Sequence, residues 1–312
     1  MDQGRYGHIG FGEEAAWGTG VAPTVFLPGT EDLSPDRDRM TIEEPHASRF
    51  DLPSKAGRMR IQGKNTSGHP LYTDAIGLIL KALFGQVSTA GTAAPYTHTF
   101  TPLGQPLAAS NALPPISVQV TAGGRTKRFI GGQIASLNLT QPKDDFAKFD
   151  LGWHFKDVDT SAAAATPAIP NDDIFAFRHL AITRDSVAVD TVEQLSLTID
   201  NQLESEELLD GTDKIAAVGF GGLIATLDLT LAFRDTNAYS QFYNDTPSNW
   251  ELVWTLGANK LTFRLPRVVV ASFSDPLSGA GRLTATAQLK AEYDSVAGYG
   301  VQAELVNSTA SY

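Results

Sequence analysis

A mainly β fold is predicted for this chain of 312 residues, organised as two tandem β-sandwich or split-barrel domains with one flanking α-helix each. Three observations carry the prediction. Residues 116–157 lie over residues 252–293 without a gap, apolar positions on apolar positions and turns on turns, which marks a tandem duplication. Apolar and polar residues alternate through both copies, the pattern of strands with one dry and one wet face. One stretch of helical spacing precedes the repeated part in each copy.

Within the repeat, Ile116, Val118 and Val120 fall on Leu252, Trp254 and Leu256. The turn Ala122-Gly123-Gly124 falls on Gly257-Ala258-Asn259, where glycine tolerates positive φ. Arg128-Phe129 then matches Arg264-Leu265, and Ala135-Ser136-Leu137 matches Ala271-Ser272-Phe273. Second turns follow at 142–145 and 276–279. In the last strand of copy one, Phe149, Leu151, Trp153 and Phe155 alternate with Asp150, Gly152, His154 and Lys156. In copy two, Leu283, Ala285, Ala287, Leu289 and Ala291 alternate with Thr284, Thr286, Gln288 and Lys290. Each copy therefore closes on three antiparallel strands.

Upstream of the first repeat, residues 25–27 and 40–43 read as short strands. A polar loop follows at 45–60, with Arg49, Asp51, Lys55, Arg58 and Arg60. Leu71, Ala75, Leu78, Ile79, Ala82 and Leu83 predict a helix over 72–84, with Gly85 as its stop. Residues 86–115 form an excursion absent from copy two, with a hairpin around 96–101. Residues 161–173, with their alanines, Pro167 and Pro170, read as a linker between domains 1–160 and 174–312. Copy two opens with strands around 175–182 and 194–199. Its own long loop, 200–222, carries Glu204, Glu206, Glu207, Asp210 and Asp213 beside Leu208 and Leu209. A strand at 223–231 and a helix at 236–243 lead into the second repeat. One long loop is basic and the other acidic, which suits contacts of opposite charge between neighbouring subunits.

The net charge of −11 has the wrong sign for a protein that grips duplex DNA. It suits one that lets DNA pass, and it suits plain solubility equally. There is no cysteine, which excludes disulfide and thiolate chemistry. The first residues lack the basic start and apolar stretch of a secretory leader. The most apolar window, 215–231, is interrupted by Gly219, Gly221, Gly222 and Asp228, so no membrane association is expected.

No catalytic constellation emerges. His8, His46, His69, His98, His154 and His179 are scattered without metal-ligand spacing. The glycines of 7–12 do not match the dinucleotide fingerprint, and 57–65 misses the phosphate-binding loop by spacing and by Asn65. There is no G-x-S-x-G elbow. No enzyme activity, cofactor or metal is expected.

The stretch from Phe11-Gly12-Glu13-Glu14 through Trp17-Gly18-Thr19 to Val21-Ala22-Pro23-Thr24 resembles the N-terminal signature of the major tail tube proteins of long-tailed bacteriophages. Leu83-Phe84-Gly85, the segment 96–100, Leu265-Pro266-Arg267 and Ala291-Glu292-Tyr293-Asp294 are similar to that family too, so the resemblance spans nearly the whole chain. It implies a tube-type domain, here in duplicated form. Such subunits assemble into rings that stack as a hollow virion tail tube, through which DNA is ejected without specific binding. A duplicated chain would build with three copies the ring that single-domain members build with six. The partners implied are further copies of the chain and the tape measure, terminator and distal tail proteins, with assembly in the host cytoplasm.

In that family the long loops reach the adjacent ring, which assigns inter-ring contact to Arg49, Asp51, Lys55, Arg58, Glu204, Glu206, Leu208, Leu209 and Asp213. The N-terminal arm joins ring contacts, which assigns such a role to Phe11 and Trp17. The excursion at 86–115 would then decorate the exterior. The alternative is a non-catalytic two-domain β-sandwich module that binds carbohydrate or a protein ligand.

Overall fold

The computed structural model describes residues 4–104, 112–168, 170–232, 240, 243–275 and 283–312. The first half contributes β1 (His8–Glu13), β2 (Val25–Leu27), β3 (Thr30–Asp32), β4 (Asp36–Met40), β5 (Lys55–Pro70), helix α1 (Ile76–Phe84), β6 (Gly85–Ala90), β7 (Tyr96–Pro102), β8 (Ile116–Ala122), β9 (Arg125–Pro142), β10 (Lys148–Phe155) and β11 (Asp157–Asp159). The second contributes β12 (Leu180–Arg184), β13 (Val187–Ala188), β14 (Val192–Asp200), β15 (Leu203–Glu206), β16 (Ala217–Phe220), β17 (Ile224–Ala232), β18 (Ser248–Leu256), β19 (Asn259–Ser274), β20 (Thr284–Ala291) and β21 (Gln302–Asn307). The protein is mainly β, as predicted.

Strand order shows the internal repetition. Neighbours in the first half run β2-β1-β8-β9-β10-β5-β3. In the second they run β13-β12-β18-β19-β20-β17-β14, the same sequence of roles. Even an irregularity recurs. Gly152 faces Ser136 but Trp153 faces Ile134, while Gln288 faces Ser272 but Leu289 faces Val270. Ala135 and Ala271 are therefore matching bulge residues, and a bulge bends its strand at a set place.

The correspondence is not gap-free, however. Val118 faces Phe129 and Leu252 faces Phe263, so the hairpin turn Gly123-Gly124 corresponds to Gly257-Ala258 at an offset two residues shorter than that of the bulges. The difference is taken up between Phe263 and Ser272, inside β19. Apolar alternation has a period of two, so a two-residue slip left the sequence pattern unchanged.

Among the described residues, two strand pairings join the halves. The far half of β9 carries β10 on one edge and β14 on the other. At the second seam β7 pairs with β21, near the C-terminus, which lies on β19. The 86–102 hairpin, expected as exterior decoration, is thus a sheet component whose Phe100 is fully buried. Backbone pairing decided this, because β7 offers a polar but uninterrupted edge. One apolar cluster extends from Ile9 to Leu305 through both halves.

Helix α1 starts at Ile76 rather than residue 72 and ends where expected, with Gly85 at φ 83° and its N–H donating to the Lys81 carbonyl. Asn201 donates to the carbonyls of Leu83 and Ile134, at 3.0 Å each, tying the second half to the helix end. The Tyr312 ring lies on Gly77, where an added Cβ would stand 2.0 Å from Cζ. Its hydroxyl donates to the Asp74 carbonyl at 2.6 Å, and burial pushes its pKa up to about 12. Phe175, expected in the first strand of copy two, instead exchanges hydrogen bonds with Leu71 and Ala147 and is fully buried. The helix expected at 236–243 falls mostly outside the described residues, although Ser240 and Tyr243 are helical, and the turn at 276–279 lies wholly outside them.

Candidate functional site

One face of the β10-β9-β14-β17-β20-β19 part of the sheet packs on the core, and the other bears small polar groups across both halves. Registers place Ser136, Asn138 and Thr140 of β9 between Asp150 and Lys148 of β10 and Asp200, Thr198 and Ser196 of β14. Beyond β14 come Thr226, Asp228 and Thr230, then Lys290, Gln288 and Thr286, and at the edge Ser272 and Ser274. The hydroxyls and amides bond across strands, Ser196 to Asn138 at 2.7 Å and Gln288 to Asp228 at 3.0 Å. No Arg, Phe, Tyr or Trp stands among these positions. Three carboxylates face two ammonium groups there, and Lys148 is held by Asp145 at 2.6 Å. The surface is thus wet, faintly acidic and without the stacking platforms that a sugar site would use.

The long loops are structured. Residues 55–60, expected as loop, are the first part of β5 and pair with β4, which begins at Asp36 rather than residue 40. The alternation Asp36-Arg37-Asp38-Arg39-Met40 was the missed signal, since charges on both faces hide a ribbon that stands clear of the core. Within the acidic loop, β15 and β16 form a second ribbon. Each ribbon leans on the other inside one chain. Arg37 meets Asp213 at 2.8 Å, Arg60 meets Glu207 at 2.9 Å and also Asp38, and Arg58 lies 3.5 Å from Glu207. Arg58 also donates to the carbonyls of Leu208 and Lys214, and the Met59 N–H donates to the Asp213 carbonyl.

Of the residues assigned from sequence, Arg58, Leu208 and Asp213 are therefore brought together, with Arg37, Arg60 and Glu207 beside them. Lys55, Glu204 and Glu206 are exposed along the ribbons, and Arg49 and Asp51 are exposed in the connection between β4 and β5. Large apolar side chains sit at the tips: Met40, Ile42, Phe50 and Leu208 are about half or more exposed, and Leu209 is fully exposed.

The arm is held by its own chain. Phe11 is fully buried, 5.6 Å from the His69 ring and 6.1 Å from that of Trp153. Trp17 donates to the Gly131 carbonyl at 2.9 Å and lies under the Lys156 ammonium at 4.2 Å. Glu14, only 3% exposed, accepts from Ser117 Oγ and the Gly131 N–H with one oxygen and from the Gly18 N–H with the other. The contact role assigned to Phe11 is thus filled by this chain's core.

His69 lies against Phe149, and Nδ1 meets the Pro28 carbonyl at 2.8 Å. A carbonyl only accepts, so Nδ1 carries the proton and the buried Nε2 is unprotonated and unpartnered. Burial holds the pKa below the ordinary imidazole value of 6.5, as it does for His154 beside Ser205. A lowered folded-state pKa means the unfolded chain binds the proton more readily, so stability rises with pH. This contribution is complete above pH 6.5 and is lost as pH falls below it. The Tm of the dispersed chain should therefore drop between about pH 7 and 5, and His69→Gln should flatten that slope. Equal slopes in both proteins would refute it.

A groove of about 450 Å³, lined by His8, Ile9, Phe26, Glu31, Pro167 and Pro170 among others, is mostly apolar. Among the described residues there is no group of three or more potential metal ligands, and no helix is long and apolar enough to cross a membrane.

The model of the phage tail tube protein family matches residues 4–294. The chain belongs to that family. The match takes in the arm, both ribbons, the polar face and both halves of the repeat, so nearly every feature described above lies within it. A search of curated proteins found no match.

Proposed function

We propose that the chain is a structural, non-catalytic virion protein that self-assembles into stacked rings forming the hollow tail tube through which DNA is ejected. Three chains make a pseudo-sixfold ring, each contributing two tube-type domains, 1–160 and 174–312, joined by residues 161–173. The observation that carries this reading is the polar face, continuous across the β9–β14 seam and without arginine at the β10, β9, β14, β17, β20 and β19 positions named above. Curled into a closed barrel, that face lines a lumen with hydroxyls, amides and a few carboxylates. Such a wall hydrates DNA without holding its phosphates. Closure also removes the open sheet edges that would otherwise aggregate.

The two ribbons, with apolar tips and charged shafts, are the contacts between successive rings. Tape measure, terminator and distal tail proteins cap or fill the tube, and assembly takes place in the host cytoplasm. Negative-stain microscopy of the purified protein over a range of concentrations tests the reading. Hollow rings or tubes with sixfold pseudosymmetry are expected. A protein that stays monomeric at all concentrations and salts, even when seeded with tail-tip complexes, would refute it.

A further inference from the structure

We propose that neighbouring chains are joined edge to edge in the register that the chain already uses within itself, with residues 33–36 of one protomer antiparallel to residues 272–275 of the next. This rests on the ring reading above and adds the segments and register of the joint.

The duplication supplies the correspondence. Leu151 and Gly152 face Thr66 and Asn65, whereas Ala287 and Gln288 face Leu229 and Asp228. Next in line, Glu31 and Asp32 face Thr66 and Asn65, whereas Leu195 and Ser196 face Leu229 and Asp228. Asp32 is therefore the counterpart of Ser196, and Leu33 of Leu197; both leucines are fully buried. On the other strand, the shared bulge makes Ser272 the counterpart of Ser136 and Ser274 that of Asn138.

The internal seam pairs Leu197 with Leu139, Thr198 with Asn138 and Asp200 with Ser136. Carried over, it sets Leu33 opposite Asp275, Ser34 opposite Ser274 and Asp36 opposite Ser272. Neither edge carries a second strand among the described residues, and at Leu33 the N–H is held by the Glu31 carboxylate of its own chain at 2.8 Å. Among the described residues β3 pairs only with β5, and Ser272 and Ser274 pair on one side only, with β20. Leu137 is 1% exposed under the seam, whereas its counterpart Phe273 is only half-buried. Thr284, Thr286 and Gln288 are exposed, whereas Lys148, Asp150 and the small Gly152 are half-buried or buried. Among the described residues, the second copy thus has no strand in the place that β14 takes in the first. Each chain offers one edge of each kind, so the contact is heterologous and repeats until it closes. Pro35 stands where the internal seam has Ile199 and brings no N–H, so the joint between chains is the weaker one and its edge is protected from casual pairing.

The chain has no cysteine, so an introduced pair reports alone. Directly opposed residues on antiparallel strands lie within disulfide reach. The S34C/S274C variant, mildly oxidised after assembly, should run as reducible dimers and trimers on a denaturing gel, while N138C/T198C should stay a single chain. Single variants should give no species larger than a dimer. Rings or tubes that form without this ladder would overturn the register and leave the tube reading standing; absence of both rings and ladder would overturn both. Should S34C/S274C fail to fold, a photo-crosslinker at Ser274 must map to the peptide containing Ser34, and mapping elsewhere refutes the proposal.

Discussion

Trp153→Ala is expected to destabilise the chain by about 3–5 kcal/mol, the range for deleting a fully buried large aromatic side chain. Trp153 is 0% exposed and lies stacked against both Phe11 and Phe155, at 6.1 and 5.4 Å. Its indole N–H donates to the hydroxyl of Thr66, itself fully buried, so truncation also strands a polar group. Because Phe11 rests on this ring, the arm should loosen before the sheet does. Chemical denaturation gives the first quantity, and hydrogen exchange at β1 gives the second. A loss below about 1 kcal/mol would mean that the site collapses around the cavity and that the arm is held by Glu14 and Trp17 without it.

A second large effect is expected where nothing is lost in the isolated chain. Phe50 is 84% exposed and Leu209 is fully exposed, so aspartate at both positions should leave Tm within about 1 °C of the parent, as surface changes away from structural features do. Burying each against the next ring would contribute about 1.5–3 kcal/mol, so the double substitution should weaken stacking by about two orders of magnitude or more per contact. Sedimentation and microscopy should then find rings or dispersed chains in place of tubes. Tubes of undiminished length would remove these tips from the ring-to-ring contact. The ion pairs of Arg37, Arg58 and Arg60 with Glu207 and Asp213 are partly or largely open to solvent and therefore screened, so their use is to set the angle of the ribbons.

Much of the architecture was legible in the chain. The alternation from Phe149 to Phe155 identified β10 and its dry face, and the glycine after Phe84 marked the helix end to the residue. The polar sheet face was legible as alternation too. Its extent was not, because no local pattern states that β14 will lie on β9. The ribbon–ribbon contact was half legible: opposite charges suggested attraction, but attraction carries no address, and the partner proved to be the same chain. Phe175 misled for a related reason. An apolar residue near a linker fits the strand after it or the core before it equally well, and here unsatisfied backbone at Leu71 and Ala147 claimed it.

The sequence by itself determined the main core strands, the helix, the recurring alternation with its dry and wet faces, and the absence of thiol chemistry, because periodicity and composition act over a few residues at a time. Only the tertiary structure decided the two-residue slip in the repeat, the seams β9–β14 and β7–β21, the burial of Phe11 and the meeting of the two ribbons. Strand edges attract one another through backbone groups that every residue shares, so which edge meets which is settled by the shape of the whole fold and leaves little trace in the side chains.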